Sequence, residues 1–437
     1  MNPCVDPLLL KSQAVAAAVR DKGGRALLVG GFVRDKLLGL SPKDADLEIF
    51  GLDATTLRDT LRGLGRVNCV GESFQVYKLT WRDAAHENHR YELDISLPRR
   101  DRRTGRGHRG FITEADPNMT IEDATRRRDF TINAILMDPL SGEVIDPFKG
   151  RIDLHKAVLR MVDARHFGED SLRVLRAVQF AARFEMSIEG ETAILCRSID
   201  LDDLPAERVW GEWEKLLLQA TRPSIGLQVA HELGVLHQLF PEIEVAMQQR
   251  EDELCAALDR AAREKENLTY PRDLTLMLAT LCSFTGKKET EEILQRLRVF
   301  TFDGYDVQTN VIRLAGERKR AADWFRQRAQ LEDKEFRFLS ARVEPRLVYY
   351  LARARGQAKA AEWLRGKMED LKVFDGPPAP LLMGRHLLEM GLKPGPAIGR
   401  ITNAIWIEQL KGNVTTLDEA KAAVQKMIDA QNDRCTK

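Results

Sequence analysis

Short apolar runs alternate with helix-like stretches over the first 150 residues: RALLVGG, ADLEIFG, FQVYKLTW and RYELDISL each read as a strand of four to eight residues. This pattern predicts a mixed sheet with helices. From about Asp153 onward the period changes to that of a helix, in SLRVLRAVQFAARF, ERVWGEWEKLLLQA and LTLMLATLC, and the remainder is expected to be nearly all α. GPPAP, from Gly376 to Pro380, cannot continue a helix and separates a last helical segment from the one before it. At 437 residues the chain exceeds what one hydrophobic core organises, so several domains are expected.

Composition narrows the class. With 43% hydrophobic and 30% charged residues the chain resembles neither a disordered nor a membrane protein, and it reads as cytoplasmic. Six cysteines lie far apart with no C-x-x-C pair, so reduced thiols are expected, and the eight histidines show no metal-ligand spacing. A net charge of +1 excludes a uniformly basic nucleic-acid binder and moves any such contact to local clusters. One cluster is Arg99 to Arg109, where six arginines face a single acid, Asp101, and Gly105 and Gly107 loosen the chain. It is read as a mobile loop, with a plain electrostatic tether as the alternative.

The densest chemistry lies between Leu27 and Gly51, LLVGGFVRDKLLGLSPKDADLEIFG. A strand ends in Gly30 and Gly31, where missing side chains let backbone N–H groups approach phosphates, and a helix carrying Arg34 and Asp35 follows. Alternation in KDADLEI puts Asp44, Asp46 and Glu48 on one strand face and Ala45, Leu47 and Ile49 in the core. Two carboxylates so spaced, Asp44 and Asp46, can hold paired Mg²⁺ ions, with Asp94 of YELDISLPRR as a third ligand from a neighbouring strand. Either fragment alone is also compatible with ordinary turn and surface chemistry.

Together, the order G-G-x-V-R-D-x-L-L-G followed by D-x-D resembles the signature of the polymerase-β-like nucleotidyltransferases, in particular class II CCA-adding enzymes and bacterial poly(A) polymerases. RRDFTINAI then resembles the family's ribose- and triphosphate-binding segment, which implies nucleotide-binding roles for Arg127, Arg128, Asp129 and Asn133 beside Gly30, Gly31 and Arg34. DPFKG, from Asp146 to Gly150, resembles the hinge after the catalytic domain. EDSLRVLRAVQFAARF, from Glu169, looks like the helix that reads the incoming base, with Asp170 and Arg173 three residues apart on one face and Arg176 reaching the triphosphate. One Asp and one Arg suit the donor-beside-acceptor edge shared by cytosine and adenine and leave guanine and uracil mispaired. The plain alternative is an ion pair on a solvated helix face. ERVWGEWEKLL resembles the helix closing the family's neck, where Trp210 and Trp213 are read as core. LCSFTGK places Ser283 and Phe284 where related chains carry the His and Asp of a metal-dependent phosphohydrolase, so no metal is expected there.

The resemblance implies an α+β chain: a nucleotidyltransferase head built on a mixed sheet (1–152), a helical neck with the base-reading helix (153–220), a helical body with a degenerate phosphohydrolase-like segment (221–375) and an RNA-binding helical tail (376–437). It further implies CCA addition to tRNA from CTP and ATP with Mg²⁺, catalysed through Asp44, Asp46 and Asp94, with no membrane and no obligate protein partner. Poly(A) synthesis and specialised A-adding or CC-adding remain as alternatives within the family. A nearly neutral C-terminal AQNDRCTK and a full-length stretch from Asp94 to Arg127 favour CCA addition. A non-catalytic RNA-binding protein is the alternative outside it.

Overall fold

A computed structural model describes residues 6–70, 76–83, 86–103 and 111–435. The chain divides into two compact units, Met1–Leu216 with Ile225–Leu239, and Leu217–Ser224 with Phe240–Lys437.

In the first unit, α1 (Pro7–Arg20), β1 (Arg25–Val29), α2 (Gly31–Leu37), β2 (Asp46–Phe50), α3 (Ala54–Arg62), β3 (Arg66–Val70), β4 (Val76–Asp83) and β5 (His86–Ser96) lead into a hairpin of β6 (Arg99–Arg103) and β7 (Phe111–Ala115). Then come α4 (Ile121–Arg126), β8 (Leu136–Met137), β9 (Val144–Ile145) and α5 (Gly150–His155). Seven strands form one mixed sheet in the order β3-β4-β5-β2-β1-β8-β9, in which β2 and β5 run parallel. Both faces are covered, so the central strands read as continuous apolar runs. Ala26, Leu28, Leu47 and Ile49 enter a core with α1 and α3, whereas Leu27, Val29 and Phe50 pack with Met119 and Ala124 in a separate cluster.

The same unit continues through β10 (Val158–Leu159), α6 (Ala164–Phe167), α7 (Leu172–Phe184), β11 (Ser187–Ile188), α8 (Gly190–Ser198), most of α9 (Ala206–Gln219), most of α10 (Pro223–Glu232) and α11 (Val235–Leu239). Phe130 meets Phe167 and Phe180 edge to face, with centroids 5.5 and 5.9 Å apart, which clamps the segment before it against α6 and α7. Trp213 is buried and Trp210 half-buried.

The second unit is helical: α12 (Pro241–Glu264), α13 (Arg272–Cys282), α14 (Lys287–Arg296), a ladder of β12 (Thr301–Phe302) with β13 (Tyr305–Asp306), α15 (Val307–Gly316), α16 (Arg320–Arg326), α17 (Asp333–Arg342), α18 (Pro345–Ala354) and α19 (Ala358–Asp370). The tail helices α20 (Gly384–Glu389), α21 (Pro396–Lys411) and α22 (Leu417–Cys435) enclose a small core of their own around Leu387, Ile405 and Val424. After Asp153 the chain is nearly all α as expected, and the short ladders β10–β11 and β12–β13 are its described exceptions, because two-residue strands leave no period in a sequence. Among the described residues, no helix is long and apolar enough to cross a membrane.

Candidate nucleotide-binding and catalytic site

β1 ends at Val29, and Gly30 turns the chain into α2 with φ 70°. A Cβ at Gly30 would stand 3.1 Å from Arg128 Nη1 and 3.9 Å from Asp46 Oδ2, so the missing side chain matters both for the left-handed backbone and for the close approach. Gly31 opens α2 beside Arg34. Asp46 is in register with Val29 on one side and, across the parallel pair, with Asp94 on the other, which sets two aspartates side by side at the sheet's centre. Asp44 precedes the strand and is exposed.

Asp46 and Asp94 line a recess of about 250 Å³ with Val76, Ser96, Arg99 and Arg127. The Asp46 carboxyl is accessible to solvent, but the crowded recess strips its hydration and raises it above the usual carboxylate range. Arg128 opposes that rise, and the carboxylates of Asp94, Asp44 and Glu48 add to it. A site that resists a second negative charge fits a cation as counter-charge. Lys78 already lies 3.3 Å from Asp94 Oδ1. Among the described residues, no three His, Cys, Asp or Glu side chains converge tightly enough to form a closed metal cage.

Glu48 keeps the strand face that alternation assigned to it, but that face is covered at this position. It is 0% exposed, and Arg127 Nη2 (2.9 Å) and Arg128 Nη2 (3.6 Å) lie against its carboxylate. Burying a lone carboxylate is prohibitive, so the two arginines and Glu48 define each other's positions.

Asp129 is buried and accepts from Arg176 Nε (2.6 Å), Asn133 Nδ2 (3.0 Å) and the Phe130 amide (2.8 Å). Burial alone would raise its pKa, but the charge of Arg176 and these hydrogen bonds hold it at about 2. Asn133 Oδ1 accepts from Arg34 Nη1 at 2.7 Å, and Arg34 also donates to Asp35 at 2.8 Å. Arg34 is 5% exposed, with its guanidinium carbon 4.4 Å from the Phe184 centroid and 5.1 Å from that of Phe180. The chain Asp35–Arg34–Asn133–Asp129–Arg176 thus ties α2 to α7, and Arg34 and Asn133 are not among the residues that line the adjoining cavity.

That cavity, of about 300 Å³, is lined by Arg127, Arg128, Asp129, Asp170, Leu172, Arg173, Arg176 and Arg208. Asp170 and Arg173 face it together as expected, but not from one helix. α7 begins at Leu172, and Asp170 lies before it, its side chain accepting from the Leu172 amide at 3.2 Å. Short acidic side chains compete for first-turn amides in this way. Asp170 pairs with Arg208 of α9 at 3.1 and 3.3 Å, while Arg173 donates to the backbone carbonyls of His166 (2.7 Å) and Arg127. Arg208 was not singled out in the sequence. The motif ERVWGEWEKLL contains it, but nothing in its spacing shows that it faces a residue 38 positions earlier.

Part of the arginine-rich stretch, Arg99 to Arg103, is strand rather than loop, since β6 pairs with β7. Gly105, Arg106, Gly107 and Arg109 lie outside the described residues. At the expected hinge, Asp146 accepts from the amides of Gly150 (2.7 Å) and Arg151 (3.0 Å), and a Cβ on Gly150 would fall 2.1 Å from the Thr131 carbonyl oxygen.

Residues 26–160 match the poly A polymerase head domain family, and residues 183–247 match a family described as the probable RNA and SrmB-binding site of polymerase A. The multifunctional CCA protein of Xanthomonas campestris pv. campestris strain B100 is 42% identical over 224 residues, covering 50% of this chain and 51% of its own. That of Aromatoleum aromaticum is 41% identical over 225 residues, with the same coverage of 50% and 51%. The chain therefore spans about half the length of the curated relatives it matches. Two solved structures share the fold across nearly the whole chain. The Bacillus stearothermophilus CCA-adding enzyme in complex with CTP has TM-score 0.69 and 20% identity, covering 98% of this chain and 100% of that one. The Thermotoga maritima CCA-adding enzyme complexed with tRNA has TM-score 0.66 and 21% identity, covering 97% of each.

Proposed function

We propose, from the match of residues 26–160 and 183–247 to the poly A polymerase head and RNA-binding families and the likeness to multifunctional CCA proteins, that this chain is a class II nucleotidyltransferase that adds CCA to the 3′ end of tRNA in the cytoplasm, using CTP and ATP. The observation that carries this reading is that Arg127 lines both the acidic recess of Asp46 and Asp94 and the arginine cavity of Asp170, Arg173 and Arg176. A nucleotide laid across Arg127 has its phosphates among Arg127, Arg128 and Arg176 and its base edge at Asp170 and Arg173. Asp44, Asp46 and Asp94, which do not form a closed set of three ligands on their own, would hold a divalent cation together with triphosphate oxygens, with Mg²⁺ the ordinary choice for such ligands. When bound there, it lowers the charge barrier to attack by the RNA 3′ hydroxyl and steadies the leaving pyrophosphate.

The protein's own contribution is positioning. Glu48 fixes Arg127 and Arg128, Asp129 fixes Arg176, and Arg208 fixes Asp170, so the donors facing the nucleotide need no reorganisation when it arrives. Asp170 accepts from the exocyclic amino group of cytosine or adenine, and Arg173 donates to the adjacent ring nitrogen. Incubation with tRNA lacking its terminal CCA, followed by product sequencing, tests the reading. Products ending in CCA support it. A long A tail replaces it with poly(A) synthesis, products stopping at CC or needing a CC end replace it with a specialised enzyme, and RNA binding without incorporation ends the catalytic reading.

A further inference from the structure

The second unit carries a group of guanidiniums outside the residues that line the two recesses of the first. They gather at the turn from α18 to α19. The Arg355 guanidinium carbon lies 3.8 Å from the centroid of the Phe284 ring, and that of Arg250 lies 5.0 Å from the same centroid. Arg250 interrupts the helical backbone of α12 and donates to the Phe284 carbonyl oxygen at 2.6 Å. Arg260 Nε donates to the Ala354 carbonyl at 2.7 Å, and Gln357 Nε2 donates to that of Arg318 at 3.0 Å, which brings two more arginines to the turn.

The charges do not balance. Glu253 favours the charged form of Arg355, whereas burial first, and then Arg250, Arg318 and Arg260, act against it. Arg250 and Arg260 spend donors on carbonyls near helix ends, an ordinary structural use. Arg355 differs: its Nε and Nη1 are buried and have no hydrogen-bond partner among the described residues. A buried donor left unmade is unfavourable, and the Phe284 ring holds this guanidinium by its face and leaves its N–H edge to be satisfied.

We propose that this cluster is a phosphate-binding site, taking one phosphate group either from a polynucleotide backbone or from a free phosphate compound. Phosphate supplies several acceptor oxygens and more than one negative charge, which matches a planar guanidinium fork backed by three further cations. A single carboxylate would satisfy the fork but not the surplus charge.

The test uses the full chain with Arg355→Gln and, separately, Arg318→Gln. The thermal midpoint is followed against inorganic phosphate with chloride at equal ionic strength as reference, and affinity for tRNA lacking CCA is followed against salt. If the phosphate comes from RNA, each variant binds tRNA about three- to tenfold more weakly, and its log–log salt slope is smaller by about one. If it comes from a free compound, tRNA affinity is unchanged, while phosphate raises the wild-type midpoint by about 2–4 °C and leaves the variants where chloride leaves them. No change in either readout for Arg318→Gln overturns the proposal, and that variant decides the matter should Arg355→Gln fail to fold. Neither readout depends on catalysis, so the outcome is separate from that of the nucleotidyl-transfer reading.

Discussion

In the first unit Arg127 and Arg128 lie against Glu48 and Arg176 against Asp129, whereas at the α18–α19 turn of the second unit Arg355 has two buried nitrogens without an acceptor among the described residues and three guanidiniums for neighbours. The same residue type is in one place aimed by carboxylates and in the other left in surplus. Pairing costs an arginine part of its field but fixes its direction, which is what a reaction with a defined geometry requires. Surplus charge keeps its field and gives up direction, which suits holding a phosphate at any point along a chain or on any small molecule.

The comparison breaks most sharply at Asp46. Asp46→Ala is expected to lower nucleotide incorporation at least about 10³-fold, with tRNA binding and the phosphate response of the second unit unchanged. Incorporation within tenfold of wild type would remove Asp46 from the metal site. Asp44→Ala tests the partner ligand in the same assay, where loss of tRNA binding along with activity would indicate a misfolded head instead.

Asp129→Asn comes next, because it breaks a buried pair and leaves Arg176 facing a neutral amide. A loss of about 2–4 kcal/mol in unfolding free energy is expected, read from denaturant midpoints, together with a raised KM for nucleotide. An unchanged midpoint would mean that Arg176 does not need Asp129 for its position.

The pH dependence of that residue has a definite sign. Its folded pKa, about 2, lies below the ordinary 3.8, so the stability it contributes is present above the ordinary value and is lost as pH falls through the folded one. About 2 kcal/mol should disappear between roughly pH 4 and pH 2, and the stability gap between wild type and Asp129→Asn should close over the same window. A gap independent of pH would assign the stabilisation to hydrogen bonding that survives protonation.

The smallest effect is expected at Arg208, whose pair with Asp170 is about one-third exposed and therefore screened. Arg208→Gln should weaken discrimination of C and A against U and G by about tenfold while changing kcat for CTP little. Equal selectivity in competition assays would show that Asp170 keeps its orientation without Arg208.

The sequence by itself determined the change from sheet to helix near residue 150, the GG turn, the D-x-D spacing and the arginine identities, because each is a local pattern with a period or steric demand of its own. Ala45, Leu47 and Ile49 went to the core as alternation required. Only the tertiary structure decided the register that sets Asp94 of the expected neighbouring strand level with Asp46, that Glu48 is buried under Arg127 and Arg128, that Asp170 before α7 meets Arg208, and that Arg355 lies on Phe284. Those contacts join residues tens of positions apart. They depend on which strand neighbours which and on where a helix starts, and no spacing along the chain encodes either until the cores have packed.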